Sequence, residues 1–400
     1  MSGVAAQVEW LDLPHLRARR SAKWTLYDRD VLPMPVAEMD CLLAPPVAEA
    51  LNRAVALGDT GYPSFGRGLQ EAFAGFVARR WSWEVDTDQV TLCADVSVGM
   101  MAAISALLAP GDAFVIMPPV YPPFFRWGGE TGMRTVEVPL LQSDSSYALD
   151  LEGIERELRA GAKAVLLCNP HNPVGWVHTR ESLTALADLV SGYDAVVLSD
   201  EIHAPLTLLG HTFTPYLTVS DAARTHGVAV HAASKAWNLA GLKAALIVSA
   251  SDVMRDRLSR GLPYETPWHA GQFGYLASEA AYLHGDPWLD ALVTDLAAHH
   301  EQVRDSLPLG ARIAVPAQAT FLSWVDAGGL DLGQDPAARL LADARLAVGI
   351  GREFGAAWGD HIRLNVGTGP QVIAEGLRRL GSTVSRAPAP ETPRPHEETR

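Results

Sequence analysis

Five short apolar runs, at 113–117, 164–168, 195–199, 228–232 and 244–249, punctuate the middle of the chain, each bounded by turn residues. Runs this short and this uniformly apolar suit strands buried on both faces, since a half-exposed strand would alternate apolar with polar residues. Helical periodicity appears at 47–57, 69–80 and 180–190, and at 100–108, where Pro110-Gly111 stops it. Strands alternating with helices predict a mainly parallel sheet with helices on both faces. Past about residue 268 the texture changes. A long helical region at 272–307 precedes strand-like runs at 312–315, 321–325 and 362–366, which reads as a smaller α+β domain. Residues 385–400 are rich in Pro, Glu and Thr and are expected to form a disordered tail.

Charge narrows the function classes. The 400 residues carry a formal net charge of −14, which argues against a nucleic-acid-binding surface and against a polybasic membrane patch. No apolar run approaches 18 residues, and Glu9, Asp12 and Arg17 interrupt any leader-like segment near the start. The three cysteines (Cys41, Cys93 and Cys168) lie far apart with no C-x-x-C spacing, so a reduced, cytoplasmic protein is expected. Of 32 basic residues only four are lysines: Lys23, Lys163, Lys235 and Lys243. A GC-rich genome accounts for the bias towards arginine. A lysine kept against that bias suits a task that arginine cannot perform, such as acting as an amine nucleophile.

Four segments carry candidate chemistry, and each follows a predicted strand or opens a predicted helix. Ser234-Lys235 leads into Ala236-Trp237-Asn238-Leu239-Ala240-Gly241-Leu242-Lys243. A lysine among apolar neighbours has a lowered pKa and can attack an aldehyde, although a lone lysine is usually a surface residue. Asp200-Glu201-Ile202-His203 ends a strand, where an open parallel sheet binds its ligands. Asp200 there can pair with a protonated pyridine nitrogen, and His203 can hydrogen-bond a phenolic oxygen. A strand-end cap, or a metal site built from Asp200, Glu201 and His203, is the alternative. Asn169-Pro170-His171-Asn172-Pro173-Val174-Gly175 fixes a sharp turn that presents Asn172. Asp95-Val96-Ser97-Val98 opens a helix whose free N–H groups suit a phosphate, although an anionic Asp95 must then point away from it. Tyr121, between prolines, is placed to stack on a flat ring or simply to pack. His299-His300 reads as a solvated helix face.

Taken in order, these segments resemble the fold-type-I pyridoxal-phosphate enzymes. The likeness is to the cystathionine β-lyase (C–S lyase) branch of the class I/II aminotransferase family, the MalY/PatB-like proteins. It runs from Leu32-Pro33-Met34-Pro35-Val36-Ala37-Glu38-Met39-Asp40 to His361-Ile362-Arg363-Leu364-Asn365. The resemblance implies an α/β fold like that of aspartate aminotransferase, with a mainly parallel seven-stranded sheet in the large domain and a smaller α+β domain. The divisions expected are an N-terminal arm with part of the small domain at 1–45, a large cofactor-binding domain at 46–268, and a small domain at 269–384. It also implies roles. Lys235 would carry pyridoxal 5'-phosphate as a Schiff base and move the substrate α-proton. Asp200 would pair with the pyridine nitrogen, while Asn172 and His203 hold the phenolic oxygen and Tyr121 stacks on the ring. Val96, Ser97, Ser234 and Lys243 would hold the phosphate. Arg363 would clamp the α-carboxylate near Asn172 and Ala37. Tyr62 would reach the phosphate of a second copy, which implies a homodimer with shared sites.

The chain departs from the branch at Asp95, where glycine is common, at Trp176, where arginine is common, and at Pro35, where tryptophan is common. These changes point to an altered substrate pocket. The reaction expected is β-elimination from cystathionine or another cysteine S-conjugate, giving a thiol, pyruvate and ammonia. An aminotransferase is the alternative. A cofactor-binding regulator is disfavoured by the charge and by the short stretch before Pro33.

Overall fold

The structure, a computed structural model, describes residues 7–64 and 66–384; the tail expected at 385–400 lies outside the described residues. Seven strands form one sheet: β1 (Val90–Cys93), β2 (Ala113–Ile116), β3 (Arg134–Glu137), β4 (Ala164–Cys168), β5 (Val196–Asp200), β6 (Gly227–His231) and β7 (Ala245–Val248). Their spatial order is β1-β7-β6-β5-β4-β2-β3. β7 runs antiparallel to both of its neighbours, and the other adjacent pairs are parallel. The seven-stranded, mainly parallel sheet expected from the sequence is therefore present.

Both faces of the sheet are buried, as the uniformly apolar strands require. In β4, Val165 and Leu167 enter one apolar core, while Ala164, Leu166 and Cys168 enter the other. On the second face the helix Val96–Leu107 sits close to the sheet because Gly99 lacks a side chain. A Cβ there would lie 2.9 Å from the sulfur of Cys93 and 3.1 Å from Val230. This helix begins four residues before the periodicity at 100–108 suggests, because the Asp95 carboxylate caps it by accepting from the Val98 N–H at 2.8 Å. The helices Pro45–Leu57, Gly68–Trp81 and Arg180–Ser191 match their expected spans to within two residues.

The smaller α+β part is built on an antiparallel sheet of β8 (Leu322–Asp326), β9 (Gly349–Ile350) and β10 (His361–Asn365), ordered β8-β10-β9. Three expectations need correction here. The region 272–307 is two helices, Gln272–His284 and Asp286–Ser306, broken at Gly285 with a proline opening the second. The run 312–315 is not a strand; Arg312 makes an isolated bridge to Asp326, and the run stops at Pro316, which has no N–H to continue a ladder. His299 and His300 are buried rather than solvated, because their side of the helix packs against the smaller sheet. A ring nitrogen of His299 lies 3.0 Å from the Val366 carbonyl, and those of His300 lie 2.8 Å from Ser323 Oγ and 3.1 Å from the Thr320 carbonyl.

The N-terminal segment is tied into this frame by a charge pair. Lys23 Nζ lies 2.7 Å from Asp40 Oδ2, with both side chains 1% exposed, and Trp24 Nε1 donates to Asp40 Oδ1 at 2.9 Å. Removing one partner of such a pair leaves the other charge buried without compensation, at a cost of about 3–5 kcal/mol. Asp40→Ala should therefore lower the unfolding free energy by about that amount, read as a shift in urea midpoint. A change below ~1 kcal/mol would mean that Lys23 finds water or another acceptor.

Candidate active site

Parallel strands end at one edge of the sheet, so residues far apart in sequence meet there. β1 leads to Asp95-Val96-Ser97, β2 to Tyr121, β4 to Asn172, β5 ends on Asp200, and β6 leads to Ser234-Lys235. β7 runs the other way, so its beginning, preceded by Lys243, reaches the same edge. These residues line one cavity of about 400 Å³ together with Val36, Ala37, His203 and Arg363. Thus eleven of the twelve cofactor- and substrate-contact residues expected from the sequence surround a single space: Ala37, Val96, Ser97, Tyr121, Asn172, Asp200, His203, Ser234, Lys235, Lys243 and Arg363. Tyr62 lies apart, 79% exposed and edge-on to Trp268.

Burial sets the protonation of the two central groups. Asp200 is 4% exposed, and burial raises its pKa to about 7, with the Glu201 charge adding to the rise. The Ile202 N–H, donated to its carboxylate at 3.1 Å, and the Lys235 charge work against that rise. Burial lowers Lys235 to about 8, and the Arg363 charge pushes the same way while Glu38 and Asp200 oppose it. Lys235 Nζ donates to the Ala37 carbonyl at 2.8 Å. An amine of this kind is partly neutral near physiological pH, as a nucleophile or proton carrier must be.

The walls offer unspent hydrogen-bonding capacity. His203 is 3% exposed, burial holds its pKa well below the ordinary value, and its Nδ1 has no partner among the described residues. Arg363 lies over the Phe354 ring at 4.7 Å. It donates to Asn172 Oδ1 at 2.9 Å and to the Pro35 carbonyl at 2.8 Å, which leaves Nε without a partner among the described residues. At the helix N-terminus the first N–H groups have no acceptor within the helix. Asp95, the residue that put a phosphate site in question, accepts from Val98 N–H and from Lys243 Nζ at 2.8 Å each. Its charge is therefore already matched. Asp200, Glu201 and His203 do not converge as metal ligands would. The Glu201 carboxylate turns to Ser199 Oγ at 2.9 Å and to His231 Nε2 at 3.0 Å.

Two sets of residues in this region went unassigned at the sequence level. His171 is fully buried, with Nε2 at 3.1 Å from the Met117 carbonyl and 3.0 Å from that of Pro119, so it ties the Asn172 turn to the Tyr121 loop. Asn238 and Asn365 hold the segment around Ala37. Asn365 could have been suspected from its spacing, since it stands two residues beyond Arg363 on one strand and so shares its face.

Comparison with known proteins places this geometry among relatives. The model of the family described as aminotransferase class I and II matches residues 30–380. A Mycobacterium leprae protein, provisionally named a cystathionine beta-lyase, is 38% identical over 94% of this chain and 97% of its own. Cystathionine beta-lyase PatB of Bacillus subtilis is 32% identical over 89% of this chain and 93% of its own. Among solved structures, that of cystalysin from Treponema denticola, which contains a pyridoxal 5'-phosphate cofactor, superposes with a TM-score of 0.87 at 25% identity, covering 96% of this chain and 99% of that one.

The raised pKa of Asp200 has a measurable consequence for stability. Between its ordinary value of 3.8 and about 7, the folded chain holds a proton that the unfolded chain releases, so this group costs stability as pH rises through that window. Lys235 has the opposite slope, since its cost is present below about pH 8 and fades as pH rises towards 10.5. Asp200→Asn removes the first effect. In cofactor-free protein the variant should gain on the wild type by on the order of 4 kcal/mol between pH 4 and 7, measured by urea unfolding. A difference that stays flat across that range would show Asp200 ionised throughout.

Proposed function

The chain belongs to the class I and II aminotransferase family, and from that premise we propose that it is a pyridoxal-phosphate-dependent carbon–sulfur β-lyase acting on cystathionine or another cysteine S-conjugate. The observation that carries the reading is the meeting of the Lys235 amine, the Asp200 carboxyl and the Arg363 guanidinium in one cavity.

The residues present fit the cofactor. Asp200 is a buried acid aimed into the cavity and suits a pyridinium nitrogen, whose positive charge would draw the carboxyl back to its ionised form. The unpartnered His203 Nδ1 and the amide of Asn172 suit the phenolic oxygen. Val96 and Ser97 at the helix N-terminus, with Ser234 and Lys243, suit the phosphate. Tyr121 suits the ring face. When bound, pyridoxal 5'-phosphate supplies an aldehyde for the substrate amino group and a ring that withdraws electrons from the α-carbon.

The chain's own groups then have separable tasks. Arg363 would exchange its neutral partners for the substrate α-carboxylate, for which a charged fork is the stronger donor. Lys235 would take the α-proton, and its lowered pKa lets it begin as a neutral amine. Loss of the Cβ–S bond sends the electron pair out on sulfur, which leaves as a thiol once protonated. Water completes the balance by releasing pyruvate and ammonia, with no oxidant or keto acid consumed.

Exposed apolar residues support a homodimer. Val55 and Leu57 on the helix Pro45–Leu57 and Leu283 on the helix Gln272–His284 are exposed, as are Tyr62 and Tyr264, and a second copy would cover them. Tyr62 would then reach towards the other copy's phosphate site. Cys41, Cys93 and Cys168 are all free and buried, in keeping with the reducing cytoplasm.

The purified protein should be yellow and should release pyruvate and thiol from S-substituted cysteines without any added keto acid. Lys235→Ala should lose this activity by at least about 10³-fold and lose the chromophore, while Lys235→Arg keeps the charge without rescue. Amino transfer that strictly requires a keto acid, with no thiol released, would replace the lyase reading by an aminotransferase one.

A further inference from the structure

The segment Pro35–Asp40 crosses the cavity beside Lys235, and nearly every peptide in it is held by a side chain from elsewhere in the chain. At its centre the Glu38 N–H donates to the Val36 carbonyl at 2.9 Å, a three-residue turn with Ala37 at the apex. The Ala37 carbonyl is the acceptor given to Lys235 Nζ. On either side, Asn365 Nδ2 donates to the Val36 carbonyl at 2.6 Å and to the Glu38 carbonyl at 2.7 Å, so one NH₂ group brackets the apex. The opposite end of that amide, Oδ1, accepts from Gly367 N–H at 2.7 Å. This acceptor fixes the orientation, since a flipped amide would set oxygen against two carbonyls and NH₂ against N–H. Asn365 is fully buried. Lys23, Asn238 and Arg363 anchor Glu38, Met39 and Pro35 in the same way.

We infer that Asn365 is a positioning residue for the lysine base: it fixes the turn whose apical Ala37 carbonyl holds one N–H of Lys235 and thereby aims the amine's lone pair. A free amine on a flexible stem has no preferred direction. With one N–H committed to a fixed carbonyl, rotation is confined to that axis and the lone pair is restricted to a cone around it. The inference rests on Lys235 acting as the base in the proposed reaction, but its first test does not. The amine is faced by Arg363 from β10, Glu38 from the strap, Asp200 at the end of β5 and Lys243 before β7. The Ala37 carbonyl favours the protonated amine, so misplacing that carbonyl leaves burial and Arg363 less opposed.

Competitive acetylation of Lys235 in cofactor-free full-length protein, followed by peptide mass spectrometry across pH, reads this directly. The wild-type midpoint is expected near pH 8. Asn365→Ala should move it down by about one pH unit, the scale of a lost hydrogen bond to a charged group. In holoenzyme the same variant should lose about 10–100-fold in kcat with KM changed less than about threefold, as misorientation of a base predicts. Asn365→Ser is the second variant should the first fail to fold, because a hydroxyl retains one contact but cannot span both carbonyls. An unmoved midpoint in a folded variant would overturn the inference, whatever happens to kcat. A shifted midpoint in a protein whose wild type releases no thiol would sustain the inference about Lys235 while ending the lyase reading.

Discussion

Two ionisable groups withheld from water at the carboxyl edge of the sheet set the conditions for everything else in the molecule. Asp200 is driven towards its acid form and Lys235 towards its free amine, in both cases by burial before any neighbouring charge. Neither state stabilises the folded chain, since each represents the loss of a favourably solvated ion. The arrangement suits the proposed chemistry, which needs a neutral amine and a buried acid in the same space. The cost falls on a fold with two large apolar cores, one on each face of the sheet.

Topology decides which residues can share that space. In a uniformly parallel sheet every strand end at this edge is a carboxyl end, and a lysine that precedes a strand would lie at the far edge. Reversal of β7 brings Lys243 to the active edge, next to the helix that Asp95 caps. Asp95 thus has two tasks. It caps the start of the helix, and it holds Lys243 Nζ at the cavity that Val96 and Ser97 also line. An acid at this position seemed from sequence alone to conflict with anion binding. Its two hydrogen bonds remove the conflict by pairing the carboxylate with donors on both sides.

How much of this was legible in the sequence depended on the range of the interaction involved. The inner strands β2, β4, β5, β6 and β7 announce themselves because burial on both faces leaves an uninterrupted apolar run. The edge strands β1 and β3 do not, since Thr91, Arg134 and Glu137 break the pattern at positions where one side meets solvent or a helix. Lys235, Asp200 and Asn172 were readable because each directly follows or ends an inner strand. The burial of His299 and His300 was not, because the partners that satisfy their rings come from Val366, Thr320 and Ser323, which no local pattern links to that helix. Asn238 and Asn365 were hidden for the same reason. Their partners lie 199 and more than 320 residues away in sequence.

The smaller sheet meets the cavity segment through a single strand. On β10, Arg363 and Asn365 stand two residues apart and therefore on one face, and both reach the segment Pro35–Glu38. Arg363 holds the Pro35 carbonyl with the same guanidinium whose Nε is unpartnered in the cavity, while Asn365 holds the carbonyls on either side of Ala37. On the proposed reading, recognition of a carboxylate and orientation of the lysine amine would both be carried by one strand. A carboxylate drawing Arg363 away from Pro35 acts on one end of the segment whose apex contacts Lys235. On the proposed reading, arrival of a substrate would thereby bear on the Lys235 amine, with Asn365 limiting how far the apex can follow.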